Sequence, residues 1–293
     1  MSVPRPRILV TGAQGQVGFE LARLLPLHGD VIALDRSGLD LADPDAIQAA
    51  VRAVAPDLIV NAGAYTAVDA AEKERDAAFA VNARAPQILA EEARRSGALL
   101  IHYSTDYVFD GSARTPYRED APVAPLNVYG ESKLAGEQAV AAVGAHALTL
   151  RTSWVYGLRG RNFLVTIRRL ASERPELRIV ADQTGTPNWA VALAKATGTL
   201  VAQGLPALKA RAGLYHFSAA GATTWHGFAQ AIVGEVVSPV VRPITTAEFP
   251  TPARRPAYGV LDVSLFQDTF NFGLPAWQES LAACLAAGRP PDR

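Results

Sequence analysis

The chain has 293 residues, 49% of them hydrophobic, and 28 Lys plus Arg balance 28 Asp plus Glu. Such a length supplies a sizeable core, and the balanced charge excludes a global field that would favour nucleic acid or an anionic membrane as partner. The lone Cys284 excludes an internal disulfide framework and a Cys metal cluster and fits a reducing cytoplasm, while the run Ile8 to Val10 behind Arg5 and Arg7 is too short for a signal-peptide core or a membrane span.

Short apolar runs alternate with longer helical patterns along the first half, as in βαβ units of a parallel sheet. Strands are predicted at Ile8–Val10, Val31–Leu34, Leu58–Val60, Leu99–His102 and Leu148–Leu150, each apolar on both faces and so covered on both sides. Helices are predicted at Val17–Leu25, Asp45–Val54, Ala77–Ser96 and Ser132–Val143 from apolar residues at three- and four-residue spacing. The fold class is α/β: a doubly wound parallel-sheet Rossmann domain with a smaller mixed α/β lobe for the substrate. Residues 1–156 read as the dinucleotide-binding domain, with a return segment near 190–217, and residues 157–293 as mainly the second lobe. The Pro290 and Pro291 tail is expected to fray.

Between the first strand and helix lies Thr11-Gly12-Ala13-Gln14-Gly15-Gln16-Val17-Gly18. Gly12 permits the sharp turn, Gly15 lets backbone N–H groups approach a pyrophosphate, and Gly18 lets the helix pack closely on the sheet. Asp35 ends the second strand 17 residues after Gly18, near the offset at which a carboxylate meets the adenosine ribose. That favours NADH, whereas neighbouring Arg36 suits the extra phosphate of NADPH, so the cofactor is written NADPH or NADH. After the third strand, Asn61-Ala62-Gly63-Ala64-Tyr65-Thr66 leaves room for the ribose and nicotinamide; a tight turn accounts equally well for the same small residues.

The fourth strand ends in Tyr103-Ser104-Thr105-Asp106-Tyr107, which puts hydroxyl groups at the carboxyl edge of the sheet. Further on, Tyr129 and Lys133 are four apart at the start of a helix and share a face. Ketone reduction needs a proton donor where negative charge develops on oxygen. A phenol is a weak acid, and a neighbouring ammonium is expected to lower its pKa while also binding the nicotinamide ribose. Thr105 would add a hydrogen bond to the substrate oxygen. Tyr-x-x-x-Lys alone is weak; joined to the glycine turn, the acid after strand two and Ser-Thr after strand four, it is specific.

These phrases resemble the extended short-chain dehydrogenase/reductase superfamily and, more narrowly, the dTDP-4-dehydrorhamnose reductase family. The narrower match is carried by Gly15 to Gly18, the stretch from Ile101 to Gly111, Pro125 to Glu137, Arg151 to Gly157, Gly213 to His216 and Pro250 to Pro256, which span nearly the whole chain. The resemblance implies reduction at C4 of dTDP-6-deoxy-L-lyxo-4-hexulose to dTDP-L-rhamnose, with Thr105, Tyr129 and Lys133 catalytic. By the same carry-over Thr105, Asp106 and Trp154 border the sugar, and Gly15, Gln16, Val17, Asp35, Asp40, Leu41, Ala64, Tyr65, Thr66 and Tyr103 line the cofactor. Trp154 reads equally well as a core aromatic.

Arg255, with Arg254 between two prolines, and the region of Arg161 and Asn162 are candidates for meeting the nucleotide, since Arg suits bidentate diphosphate recognition. A solvated arginine pair is the competing reading. Some family members carry a divalent ion at a subunit contact; Glu20 is one candidate carboxylate, but Trp189-Ala190-Val191 offers no acidic companion, so no metal is expected. A homodimer remains open. Competing functions are another 4-keto sugar-nucleotide reductase, a non-catalytic dinucleotide-binding regulatory subunit, and an epimerase or dehydratase; the Asp106-Tyr107 sequence after Thr105 lacks the Glu that a dehydratase needs.

Overall fold

The computed structural model describes residues 5–234 and 239–288, so the Pro290 and Pro291 tail lies outside the described residues. Six parallel strands form the central sheet, in the spatial order Gly213–His216, Ala147–Thr152, Leu99–Thr105, Leu58–Asn61, Arg7–Thr11, Asp30–Leu34. Each of the five strands read from sequence is present and extends beyond its apolar run, the fourth reaching Thr105 and the fifth Thr152. Polar residues at those carboxyl ends interrupt hydrophobicity but not pairing. The sixth strand comes from the return segment and pairs with the fifth.

Alternate residues of the inner strands feed two separate cores. Ile8, Val10, Leu58, Val60, Leu99 and Ile101 pack with Leu21 of the helix Gln16–Leu24 and with Leu193 and Leu200 of the helix Ala190–Ala202. Leu9, Ile59 and Leu100 face the other way, against Ile47 and Val51 of the helix Pro44–Val54 and Ile88 and Leu89 of the helix Ala85–Ser96. Burial on both faces explains why these strands lack period-two alternation. A third core gathers Tyr156, Leu164, Ile167, Leu177, Phe228, Trp277 and Leu281, all from the second half of the chain.

The helix expected over Ala77–Ser96 is interrupted. Residues Arg75–Phe79 are α-helical, Ala80–Arg84 widen into a π turn, and the α-helix resumes at Ala85. Pro86 has no N–H to offer the carbonyl of Asn82 four residues back, so the regular ladder breaks there. The helix Val128–Val143 begins earlier than its apolar pattern does, because Asn127 accepts a hydrogen bond from the Gly130 N–H (2.8 Å) and Glu72 accepts one from the Val128 N–H (2.9 Å).

Two glycines at positive φ separate packing from backbone strain. A Cβ at Gly12 (φ +68°) would lie 2.5 Å from the Gly63 Cα, whereas one at Gly97 (φ +74°) would meet nothing within 4 Å. Gly12→Ala is expected to destabilise the chain by about 2–4 kcal/mol and Gly97→Ala by about 1 kcal/mol; equal urea midpoints for the two variants would refute the crowding at Gly12.

Candidate active site

The chain steps from the first strand outward to the second and then back to the third on the other side, which opens a crevice at the carboxyl ends of the first and third strands. A cleft of about 700 Å³ lies there, a size suited to an extended small ligand. It is lined by Gly12, Gly15, Gln16 and Val17 from the first turn, Asp35, Arg36, Asp40 and Leu41 from beyond the second strand, and Gly63, Ala64, Tyr65 and Thr66 after the third. Tyr103, Tyr129 and Lys133 line it too. Gly18 sits behind the cleft, where a Cβ would collide with the Gly12 carbonyl; Gly15, the N-cap of the first helix, has only that carbonyl near its Cβ position, at 3.1 Å. The first helix therefore presents unpaired N–H groups to an open space, a cradle that fits the pyrophosphate of a dinucleotide.

Asp35 accepts hydrogen bonds from the Ser37 N–H (2.9 Å), the Ser37 hydroxyl (2.6 Å) and the Gly38 N–H (3.2 Å), and Gln14 donates to its other oxygen. These bonds, led by the Ser37 hydroxyl, hold its carboxyl below the ordinary range. Asp35 is thus both a turn cap and an anion at the cleft. Arg36 is exposed and 3.8 Å from Asp40, so the two cofactor signals persist side by side.

Tyr129 lies in the first turn of its capped helix, half-buried, with the Tyr107 ring edge-on at 5.5 Å. Burial pushes its phenol up to about 12; the Thr105 hydroxyl draws it down and Asp106 adds to the rise. Lys133 is buried and donates to the Tyr103 carbonyl at 2.6 Å. Burial lowers its ammonium to about 8, against the pull of Glu137. The expectation that Lys133 lowers the Tyr129 phenol is corrected here, because desolvation dominates both groups and Lys133 is turned to a backbone carbonyl. The outcome is a phenol that keeps its proton at neutral pH beside an ammonium that keeps its charge below about pH 8.

Thr105 donates to Asp106 (3.1 Å) and accepts from the Tyr107 N–H (3.2 Å). Asp106 is 2% exposed, its Oδ2 has no hydrogen-bond partner among the described residues, and burial pushes its carboxyl up to about 7. Trp154 holds a positive φ of +41° and stacks on Trp225 at 3.5 Å and 7°, its edge pressed on Gly185. Two expected nucleotide contacts are otherwise engaged. Asn162 caps the helix Phe163–Glu173 through Val165 and donates to the carbonyls of Gly157 and Arg159, while Arg255 forms a bidentate pair with Asp69 (3.0 and 2.8 Å) and also holds Thr251 and the Ala253 carbonyl. Arg161 does line the cleft. Glu20 is ion-paired with Arg23, and among the described residues no group of three or more His, Cys, Asp or Glu is placed to hold a metal.

Asn82 went unread in the sequence. It is buried in the π turn, accepts from the Tyr65 N–H (2.8 Å), and donates to the Tyr65 carbonyl (2.9 Å) and the Ser132 hydroxyl (3.0 Å). It fastens the loop after the third strand to the helix of Tyr129. The available signal was an Asn inside a helical pattern four residues before a proline.

Residues 6–289 match the family model described as the RmlD substrate binding domain. The chain belongs to that family. A dTDP-4-dehydrorhamnose reductase from Burkholderia thailandensis is 48% identical over 292 residues, 95% of this chain and 98% of that protein. The crystal structure of a dTDP-4-dehydrorhamnose reductase from Bacillus anthracis in complex with NADP superposes with a TM-score of 0.90 at 36% identity, covering 97% of this chain and 99% of that one. A Thermus thermophilus UDP-glucose 4-epimerase complexed with NAD, at 22% identity and a TM-score of 0.79 over 97% and 100% of the two chains, shares the fold.

Asp106 supplies a stability test. Its folded pKa lies above the ordinary carboxylate value, so the native state holds the proton more tightly and stability falls as pH rises from about 4 to about 7. Asp106→Asn removes that loss and is expected to stabilise the protein at pH 8 by on the order of 1–3 kcal/mol, with little change at pH 4. Urea unfolding at the two pH values checks it, and a destabilised variant at pH 8 would contradict the assignment.

Proposed function

We propose that the chain reduces the C4 keto group of dTDP-6-deoxy-L-lyxo-4-hexulose to give dTDP-L-rhamnose, using NADPH or NADH. One observation carries the reading: a phenol and an ammonium one helical turn apart line the same cleft as the glycine turn. The named activity of the 48% identical Burkholderia protein gives the substrate, and the NADP bound to the Bacillus structure gives the cofactor class. The absence of any helix among the described residues long and apolar enough to cross a membrane is compatible with a cytoplasmic site of action.

The first-turn N–H groups would receive the pyrophosphate, Asp35 or Arg36 the adenosine ribose side, and Lys133 the nicotinamide ribose. When bound, the dinucleotide supplies hydride to C4. Everything else falls to the chain. Tyr129 enters the reaction protonated, since its phenol sits at about 12, and delivers that proton to O4 as charge develops there. Thr105 would turn its hydroxyl proton from Asp106 to the same oxygen as a second hydrogen bond, and Lys133, turned to the Tyr103 carbonyl at rest, would hold the nicotinamide ribose. Asp106 and Trp154 border the sugar. A protonated Asp106 can donate to a sugar hydroxyl and an ionised one can accept, and its midpoint of about 7 makes both forms accessible.

The Tyr129→Phe enzyme is expected to lose at least about a thousandfold in kcat while binding NADPH within about threefold of the native enzyme, because the lost hydroxyl acts as the acid and not as the cofactor anchor. Consumption of reduced nicotinamide with the 4-keto dTDP-sugar measures the first quantity and fluorescence titration the second. Native-like turnover in that variant would remove Tyr129 from the mechanism, and tight NADPH binding by native protein without turnover would favour a regulatory subunit. Reductive kcat should also decline as pH rises through about 8, where Lys133 loses its proton; a flat profile to pH 10 would count against an ammonium in the transition state.

A further inference from the structure

Behind Lys133 lies a set of buried charges that the proposed reaction does not use. Glu137, one turn further along the same helix, is 7% exposed, and Arg151 at the end of the fifth strand is 3% exposed. Arg151 donates from Nε to Oε1 (2.8 Å) and from Nη2 to Oε2 (2.6 Å) of Glu137, and the Ser104 hydroxyl donates a third bond to Oε1. Ser104 and Arg151 are register partners on adjacent strands, next in sequence to Thr105 and Thr152. Glu137 therefore ties the helix of Tyr129 and Lys133 to both strands that end at the reaction centre.

A buried Arg–Glu pair is poor evidence of stability, since desolvation offsets much of its Coulomb gain. Its position beside Lys133 gives it another use. The Lys133 ammonium is 2% exposed, its hydrogen bond runs to a neutral carbonyl, and it forms no ion pair among the described residues. A buried ammonium so placed tends to shed its proton. The surrounding titratable groups are Tyr129 on its own helix, His102 and Tyr103 on the fourth strand, Asp106 beyond it and Arg151 on the fifth. Tyr129 and Tyr103 are held protonated by burial, His102 is held neutral by burial and by the Lys133 charge, and Arg151 is a cation. Asp106 is an anion only above about pH 7, whereas the Glu137 carboxylate, buried one turn along the same helix, favours a charged Lys133.

We propose that Glu137 is a positioning residue that keeps Lys133 protonated within the cleft, acting across one helical turn, with Arg151 and Ser104 holding its carboxylate in place. This rests on the reading of Lys133 as the partner of Tyr129 in ketone reduction. Arg151 anchors the carboxylate through both oxygens and Ser104 adds a third bond to Oε1, which together fix its place relative to Lys133.

The chain has four lysines, Lys73, Lys133, Lys195 and Lys209, so protein labelled with carbon-13 at lysine Cε gives a small set of signals, and the one lost in Lys133→Arg belongs to Lys133. Its titration midpoint in native protein is expected near 8 and in Glu137→Gln at least about half a pH unit lower. The alkaline limb of kcat should move down with it while NADPH affinity at pH 6 stays within about threefold, a split that a merely structural Glu137 would not produce. Where Glu137→Gln fails to fold because Arg151 is stranded, the double variant Glu137→Gln, Arg151→Met removes both charges; the carboxylate acts on Lys133 more strongly than the guanidinium behind it, so a downward shift smaller than that of the single variant is expected. An unmoved Lys133 midpoint in a folded variant overturns the proposal. Absence of turnover with any 4-keto sugar, alongside a shifted midpoint, would instead overturn the reductase reading alone.

Discussion

The closeness of the helix Val128–Val143 to the sheet edge and to the π turn is the constraint on which the site depends. At Gly136 any Cβ would collide with the carbonyl of Asn82, and at Gly130 with the carbonyl of Tyr107. Pro86 cannot donate to that carbonyl of Asn82. Two glycines and one proline thus bring the helix near enough for Lys133 to reach the Tyr103 backbone and for Tyr129 to feel the Thr105 hydroxyl. Capping by Asn127 and Glu72 then fixes where the helix starts, and with it the rotation of Tyr129 toward the cleft. Asn127 also donates to the Arg254 carbonyl at 2.7 Å, so the same cap reaches the second half of the chain.

Burial sets the titration of Tyr129 and Lys133 more than pairing does. In water a phenol and an ammonium have overlapping pKa values near 10. In this cleft desolvation penalises each charged form, raising the phenol to about 12 and lowering the ammonium to about 8. The resulting order suits reduction, in which the acid must start protonated and the cation must remain a cation at neutral pH. An oxidation would start from the opposite state of the tyrosine, a phenolate that accepts a proton.

Around Trp154, strain and stacking replace hydrogen bonds. Trp154 occupies a left-handed backbone conformation that a non-glycine residue adopts only when its surroundings enforce it. The parallel Trp225 ring, with Phe163 tilted against Trp225 at 4.6 Å, and the bare backbone of Gly185 supply that enforcement. The second-half core that holds Phe228 and Trp277 backs this stack. The Asp69–Arg255 pair joins the segment after Pro250 to the short helix Val68–Ala71.

The sequence by itself determined the sheet and the cofactor side of the cleft. Parallel strands buried on both faces must be apolar runs, and a strand-to-helix turn that approaches a phosphate needs glycine where side chains would clash, so Gly12, Gly15 and Gly18 were legible locally. Tyr129 and Lys133 were legible because four residues make one helical turn. Only the tertiary structure decided the rest, since those features arise from residues far apart in the chain. The pairing of Arg255 with Asp69, the use of Asn162 as a cap, the π turn at Asn82 and the Trp154–Trp225 stack depend on which surfaces meet, and no local pattern encodes that. The protonation states followed the same division: a spacing of four predicted that Lys133 and Tyr129 would share a face, but how much water each loses is a property of the packed fold.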